Sequence, residues 1–138
     1  MIVLVIGLGS IGKKHVDALK KLHPNVVIFA LRSNKCSDVY FDVINIYSIL
    51  DIKTTIDFVI ISNITSEHEK SILQVINLNC PIFIEKPLSN NLNIGKIKEK
   101  VIQSGVMTYV ACNLRFLHSL KFIKEKLEKG EKRLNEVN

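Results

Sequence analysis

The sequence has no tryptophan, only three prolines and three cysteines, and no long apolar run. Its first apolar run, Met1–Ile6, stops at a glycine, far short of the ~18–20 residues that a membrane-spanning helix needs. This run is also too short for a signal peptide and lacks the basic start. Cys36, Cys80 and Cys112 form no CxxC pair, which favours reduced thiols. We therefore predict a cytoplasmic protein with no membrane partner.

Positive charge is in excess, with 19 Lys and Arg against 13 Asp and Glu and a net charge of +6. The basic residues are spread over several segments and often alternate with acids, and no aromatic cluster lies among them. That distribution is typical of solvated helix faces and argues against nucleic-acid binding. A length of 138 residues is that of one globular domain. A hydrophobic content of 47% excludes intrinsic disorder, which requires low hydrophobicity.

Strand and helix patterns alternate along the chain. Apolar runs rich in β-branched residues predict strands at 1–6, 26–31, 57–62, 81–85 and 106–112, with a weaker one at 39–41. Helical spacing predicts helices at 10–22, 66–78, 89–104 and 116–129, with a short one at 46–52. This alternation predicts an α/β fold, a doubly wound parallel sheet of about six strands with helices on both faces.

Local signals set the predicted helix ends. Ser66 and Glu69 have the spacing of a capping box. Ser89 is the predicted N-cap of the next helix, and Gly130 is the predicted stop of the last one. We expect the folded domain to span 1–129, with a polar connecting segment at 130–138.

A glycine motif follows the first predicted strand. Residues 7–12 read GLGSIG, a GxGxxG pattern between a buried strand and a helix, which is typical of a dinucleotide-binding Rossmann fold. Gly7 permits a tight turn, Gly9 lets the backbone approach a pyrophosphate, and Gly12 allows close packing of helix on strand. The backbone N–H groups of Ser10 and Ile11, in the first turn of the predicted helix, favour binding of a negatively charged phosphate. The alternative is a glycine-rich turn with a structural role alone.

The end of the second strand predicts which dinucleotide binds. An acid there would bind the ribose 2′-hydroxyl of NAD, and an arginine would accommodate the 2′-phosphate of NADP. Arg32 and Ser33 occupy this position, Lys35 adds charge, and the nearest downstream acid is Asp38. We predict NADP, with NAD as the alternative because an arginine can also stack on adenine.

Polar residues follow the fourth and fifth predicted strands, at the edge of the sheet where dinucleotides bind. Asn63, beside Ser62, can contact the cofactor's ribose or phosphates, and His68 can reach the nicotinamide ribose or remain solvated. Pro87 biases Lys86 toward an extended backbone, which presents a lysine that can act as an acid or base. The alternative for Lys86 is an ordinary surface lysine.

Four motifs, in order, resemble the glucose–fructose oxidoreductase/inositol dehydrogenase (Gfo/Idh/MocA) family. They are GLGSIG at 7–12, S-N-x-x-x-x-H at 62–68, EKPL at 85–88 and N-x-R-F at 113–116. The resemblance implies hydride transfer between NAD(P) and a hydroxyl-bearing carbon of a sugar, cyclitol or nucleotide sugar. It implies that Lys86 is the catalytic lysine and that Glu85 lies near the nicotinamide. It further implies cofactor contacts at Ser62, Asn63, His68 and Asn113, and no metal.

The chain departs from the family pattern in length. Family members are longer, and their second domain supplies most of the substrate pocket. The resemblance therefore implies that 130–138 begins the connection to a missing C-terminal domain, and that the chain alone turns over no sugar well. One alternative is a non-catalytic nucleotide-binding or regulatory module that forms a homo-oligomer through the surface which that domain would cover. The other is an inactive truncated product.

Overall fold

A computed structural model of the protein describes residues 1–34 and 40–130. One sheet contains the strands β1 (Ile2–Ile6), β2 (Val27–Leu31), β3 (Ile44–Ile46), β4 (Phe58–Ile61), β5 (Ile82–Ile84) and β6 (Thr108–Val110). The helices are α1 (Ser10–Leu22), α2 (His68–Val75), α3 (Gly95–Ser104) and α4 (His118–Glu128). Single 3-10 turns lie at Ile49–Asp51, Thr65–Glu67, Ile76–Leu78 and Asn113–Phe116.

The sheet has the strand order β3-β2-β1-β4-β5-β6, and every neighbouring pair is parallel. The predicted doubly wound parallel sheet is thus confirmed. The order reverses between β1 and β4, where Ile6 lies beside Ile61 at the carboxyl ends of the two strands. Crevices at this reversal are where open α/β sheets bind ligands.

Residues of β1 alternate between two apolar layers, one on each face of the sheet. Leu4 packs in a layer with Ile72 of α2, and Val5 packs in a layer with Val16 of α1. All four side chains are fully buried, and burying an aliphatic side chain of this kind contributes about 1.5–3 kcal/mol. The two layers fix α1 and α2 against opposite faces of β1, next to the crevice.

The third strand lies downstream of the prediction. The predicted strand at 39–41 is wrong, since Tyr40 and Phe41 are outside any strand and Phe41 has φ +46° in a turn; Val39 lies outside the described residues. The predicted helix at 46–52 contains only the 3-10 turn Ile49–Asp51. A three-residue strand with Asn45 at its centre has too little apolar alternation to be recognised; it is defined by pairing with β2.

Two helix starts also differ from the predictions. Ser66 forms no capping box, because a 3-10 turn precedes α2 and the Glu69 carboxylate accepts a hydrogen bond from the Ser89 hydroxyl. The predicted N-cap Ser89 accepts from the backbone N–H of Asn91 at 2.8 Å, and Asn91 accepts from that of Asn93 at 3.1 Å. Local side-chain bonds of this kind compete with helix formation, so α3 begins six residues later, at Gly95.

The last helix leaves its apolar side uncovered by the described residues. α4 begins at His118, two residues after the predicted start, and Gly130 follows it with φ +69°, as expected for a helix stop. Leu120, Ile123 and Leu127 are all exposed. Within the described ranges, no helix is long and apolar enough to cross a membrane.

Candidate functional site

The glycine turn between β1 and α1 packs directly on the loop after β4. Gly7 has φ +88°, and a Cβ there would lie 2.5 Å from the Cα of Asn63. A Cβ on Gly12 would lie 2.2 Å from the Gly7 carbonyl oxygen. Because no side chain fits at either position, only glycine allows this approach of helix to strand.

Gly9 differs from the other two glycines of the motif. Apart from Gly9 and its two chain neighbours, no atom of the described residues lies within 4 Å of the position that its Cβ would take. Gly9 is the N-cap of α1 and caps no N–H group with a side chain. The first turn of the helix is therefore open to an anion, and backbone N–H groups at such a position bind phosphate well.

An open cleft of about 1150 Å³ lies at the crevice between β1 and β4. It is lined by the predicted site residues Gly7, Gly9, Ser10, Ile11, Arg32, Ser33, Ser62 and Asn63. The other predicted site residues, Gly12, His68, Glu85, Lys86 and Asn113, are not part of its lining. Residues that the sequence did not single out also line it, namely Tyr47, Ser48, Ile49, Leu50, Lys70 and Gln74. The residues at 47–50 follow β3, so a correct third strand would have indicated them.

Arg32 lies between the ends of β2 and β3. Its backbone N–H donates to the Ile46 carbonyl at 2.9 Å, and its Nη1 donates to the Oδ1 of Asn45 at 3.3 Å. Ser33, the next residue, is exposed. No local sequence signal indicates Asn45 as a partner, because it comes into reach of Arg32 only through the β2–β3 pairing. The structure thus fixes the guanidinium at the cleft edge.

Ser62 and Asn63 connect the cleft to its supports. The Ser62 hydroxyl donates to the Gly7 carbonyl at 2.8 Å and so holds the glycine turn. The Asn63 Nδ2 donates to the Ser71 hydroxyl of α2 at 2.9 Å. The Oδ1 of Asn63 is buried and, among the described residues, has no hydrogen-bond partner. The cleft wall therefore contains one unused acceptor.

His68 joins two loops beneath the sheet edge. Its ring is 1% exposed, with Nδ1 3.0 Å from the Pro87 carbonyl oxygen and Nε2 3.1 Å from that of Asn63. Both ring nitrogens already have partners in the protein. Contact of His68 with a nicotinamide ribose stays a prediction.

Glu85 and Lys86 follow β5, beside the end of β4. The Glu85 N–H donates to the Ile61 carbonyl at 2.9 Å. One carboxylate oxygen of Glu85 lies 2.8 Å from Nε2 of His15, and the other accepts from the Lys86 N–H at 3.2 Å. The Lys86 side chain is exposed, and its ammonium group makes no hydrogen bond or ion pair with the residues described. Lys86 is therefore free to meet a ligand.

A row of side chains extends from Glu85 across β5 to β6. The His15 ring meets the Phe83 ring edge-on at 5.4 Å, and Phe83 stacks on Tyr109 at 5.7 Å. The Tyr109 hydroxyl, which accepts a hydrogen bond from the guanidinium, raises the pKa of Arg115. Asn113 lies in the same 3-10 turn as Arg115, two residues before it, and is exposed. The helix residue His15 was not predicted as part of the site.

Comparison with known proteins identifies the family. Residues 1–111 match the family model described as the oxidoreductase family (Gfo/Idh/MocA) with an NAD-binding Rossmann fold. The chain belongs to this family. The predicted family resemblance and the Rossmann fold are thus confirmed, and the matched residues form an NAD-binding domain.

Individual relatives agree with this assignment. Myo-inositol 2-dehydrogenase from Thermotoga maritima is 27% identical over 139 residues, which cover 91% of this chain and 40% of the relative. The WlbA dehydrogenase of Bordetella pertussis, solved with NADH and UDP-GlcNAcA, has a TM-score of 0.81 at 18% identity, covering 94% of this chain and 42% of that one. Myo-inositol 2-dehydrogenase from Lactobacillus plantarum has a TM-score of 0.76 at 21% identity, covering 95% and 42%. The chain spans about two fifths of the length of these relatives.

Proposed function

We propose that the cleft binds a nicotinamide dinucleotide for an oxidoreductase that acts on a hydroxyl-bearing carbon of a sugar, cyclitol or nucleotide sugar. The observation that carries the proposal is Gly9, whose open face lies on the cleft at the first turn of α1. Asn63 also lines the cleft, and its amide is held in place by the Ser71 hydroxyl of α2. The substrate class is supported by the relatives, which act on inositol or bind a UDP-sugar.

We propose NADP(H) as the preferred cofactor, with NAD(H) as the alternative. Arg32 lies at the end of β2, where the adenosine ribose binds in this fold, and its guanidinium keeps donors beyond the one used on Asn45. A guanidinium suits a phosphate because it offers planar, paired donors. Exposed Ser33 adds a hydroxyl donor. Neighbours solved with NADH or NAD make NAD(H) the competing cofactor.

We propose Lys86 as the residue that assists proton transfer at the reacting oxygen. Because β4 and β5 are neighbours in the sheet, Lys86 lies next to the loop after β4, whose residues Ser62 and Asn63 line the cleft. The nicotinamide, when bound, exchanges the hydride. The chain's own part is to hold the dinucleotide at the glycine turn and to present the free ammonium of Lys86.

A cytoplasmic location stays a prediction from cysteine usage.

Cofactor titration tests the proposal. Isothermal titration of the 138-residue chain with NADPH and with NADH should show saturable binding, tighter for NADPH. Arg32→Ala should weaken NADPH binding much more than NADH binding. Tighter NADH binding to the unaltered chain would overturn the NADP preference, and no binding of either cofactor would overturn the proposed site.

A further inference from the structure

Lys86 is flanked by two residues that the described structure fixes in different ways. Glu85 precedes it and is tied to β4 through its backbone and to α1 through its carboxylate. Pro87 follows it and is tied to α2 through its carbonyl oxygen. The Lys86 side chain between them is exposed, and within the described ranges it makes no hydrogen bond or ion pair. The position and orientation of Lys86 are therefore set by the contacts of Glu85 and Pro87.

The first tie runs from His15 to Glu85. The Glu85 side chain is 12% exposed and that of His15 is 25% exposed, and the atoms in contact are 2.8 Å apart. A carboxylate removed from water needs hydrogen-bond partners. Glu85 has two, His15 and the backbone N–H of Lys86. Its carboxylate thus holds the Lys86 backbone, and among the described residues it makes no ion pair with the Lys86 ammonium.

The second tie runs from His68 to Pro87. Both partners of the His68 ring are backbone carbonyl oxygens, which only accept hydrogen bonds. A neutral imidazole donates to one of them, and an imidazolium donates to both. With the ring almost fully buried, water is excluded as a substitute partner. The His68 ring therefore contacts both the Pro87 carbonyl and the Asn63 loop that lines the cleft, and it donates a hydrogen bond to at least one of them.

The two ties come from opposite faces of the sheet. His15 lies on α1, whose Val16 packs in one apolar layer, and His68 lies on α2, whose Ile72 packs in the other. We propose that His15 and His68 are positioning residues for Lys86, acting through Glu85 and Pro87 from the two sides of the sheet. This inference rests on the proposed function of Lys86 as the proton-transfer residue.

Variants that replace single donors separate this role from ordinary packing. Gln places its amide nitrogen near the Nε2 of a histidine, and Asn places its own near the Nδ1. His15→Gln should keep the tie to Glu85, and His15→Leu should lose it. His68→Asn should keep the donor to Pro87, and His68→Gln should keep only the donor to Asn63. Val16→Ala is the matched control, because it weakens the packing of α1 without touching Glu85.

The readout is the backbone order of Lys86, measured by ¹⁵N relaxation on the 138-residue chain with and without NADH. An order parameter near ~0.85 marks a rigid amide, and one below ~0.6 a mobile one. We expect His15→Leu and His68→Gln to lower the order parameter of Lys86 toward the mobile range. His15→Gln, His68→Asn and Val16→Ala should keep it high.

A second measurement separates this inference from the proposed function. NADH titration of the same samples tests cofactor binding, which should change less than about twofold in the two His15 variants and in Val16→Ala. If Val16→Ala mobilises Lys86 as much as His15→Leu and His68→Gln do, the positioning role is refuted. If the unaltered chain fails to bind either cofactor, the proposed function fails, whatever the order of Lys86. Glu85→Gln, which weakens the His15 contact without emptying a buried site, replaces His15→Leu if that variant does not fold.

Discussion

Gly9→Ala should abolish much of the cofactor affinity and leave the fold intact. Gly9 has φ −79° and ψ −165°, an extended conformation that alanine adopts without strain. Beyond the adjacent residues, its added methyl group would have no atom of the described part of the chain within 4 Å. The methyl group must therefore project into the cleft, where it keeps a pyrophosphate away from the backbone N–H groups of the first turn of α1.

The expected loss follows from the hydrogen bonds involved. A hydrogen bond to a charged group contributes about 1.5–3 kcal/mol. Losing one such bond at the first turn weakens binding roughly 10- to 150-fold, because each ~1.4 kcal/mol is a factor of ten. Stability should change by less than about 1 kcal/mol, since the cap and chain-entropy effects of Gly→Ala are each of that size. The melting temperature should then move by no more than roughly 4 °C.

Isothermal titration with NADPH and NADH measures the affinity, and thermal unfolding measures the stability. Gly95→Ala is the matched control, because Gly95 lies in α3 and does not line the cleft. Gly12→Ala is the contrasting variant. Its Cβ would lie 2.2 Å from a backbone oxygen, so it should lose about 1–3 kcal/mol of stability. The reasoning is refuted if Gly9→Ala binds both cofactors as tightly as Gly95→Ala does.

Four further predictions concern the site and the thiols. Arg32→Ala should weaken NADPH binding about tenfold or more, the effect of one lost charged hydrogen bond, and NADH binding by less than about threefold, as measured by titration; equal losses would contradict a phosphate contact. Lys86→Ala, in a full-length protein that turns over substrate, should lower kcat about 10²-fold or more at unchanged cofactor affinity, whereas unchanged kcat would favour a binding module. In a Cys36→Ser background, exposed Cys112 should be alkylated before Cys80, because burial, together with the charge of a nearby aspartate, raises the pKa of Cys80 and the thiolate is the reactive form. Equal alkylation rates of the two thiols would contradict burial of Cys80. Because the pKa of Cys80 is higher in the folded than in the unfolded protein, its contribution to the free energy of unfolding should be full below the ordinary thiol pKa and be lost as the pH rises above it. Unfolding experiments at increasing pH measure this loss.

The predictable part of the fold is the part with strong local signals. Apolar runs and the glycine motif define β1, α1 and β2, because strands buried on both faces need continuous apolar residues. The third strand was misplaced because Ile44–Ile46 is too short to carry an apolar alternation. Its identity depends on pairing with β2, a long-range contact that no window of sequence contains. The cleft residues at 47–50 were missed for the same reason.

Histidines show a second limit of sequence reasoning. His68 was predicted at the cofactor because it follows β4, and this contact stays a prediction; its buried ring contacts the carbonyl oxygens of Asn63 and Pro87, which no local pattern indicates. His15 was read only as part of the inward face of α1, although its ring contacts Glu85 from 70 positions away in the chain. Spacing predicts which edge of the sheet a residue reaches and not which neighbour takes its hydrogen bonds.

The last helix shows what an amphipathic pattern does and does not establish. The spacing of Leu120, Ile123 and Leu127 correctly predicts the helix, because a period near 3.6 places them on one side. In the structure all three are exposed, and Phe116 and Leu117 just before the helix are exposed as well. Periodicity reports that a face is apolar, whereas burial depends on a second surface. For the glycine motif, by contrast, both surfaces lie within the described residues, because the turn at Gly7 closes on Asn63 itself. The glycine turn is for this reason the part of the candidate site that sequence and structure define together.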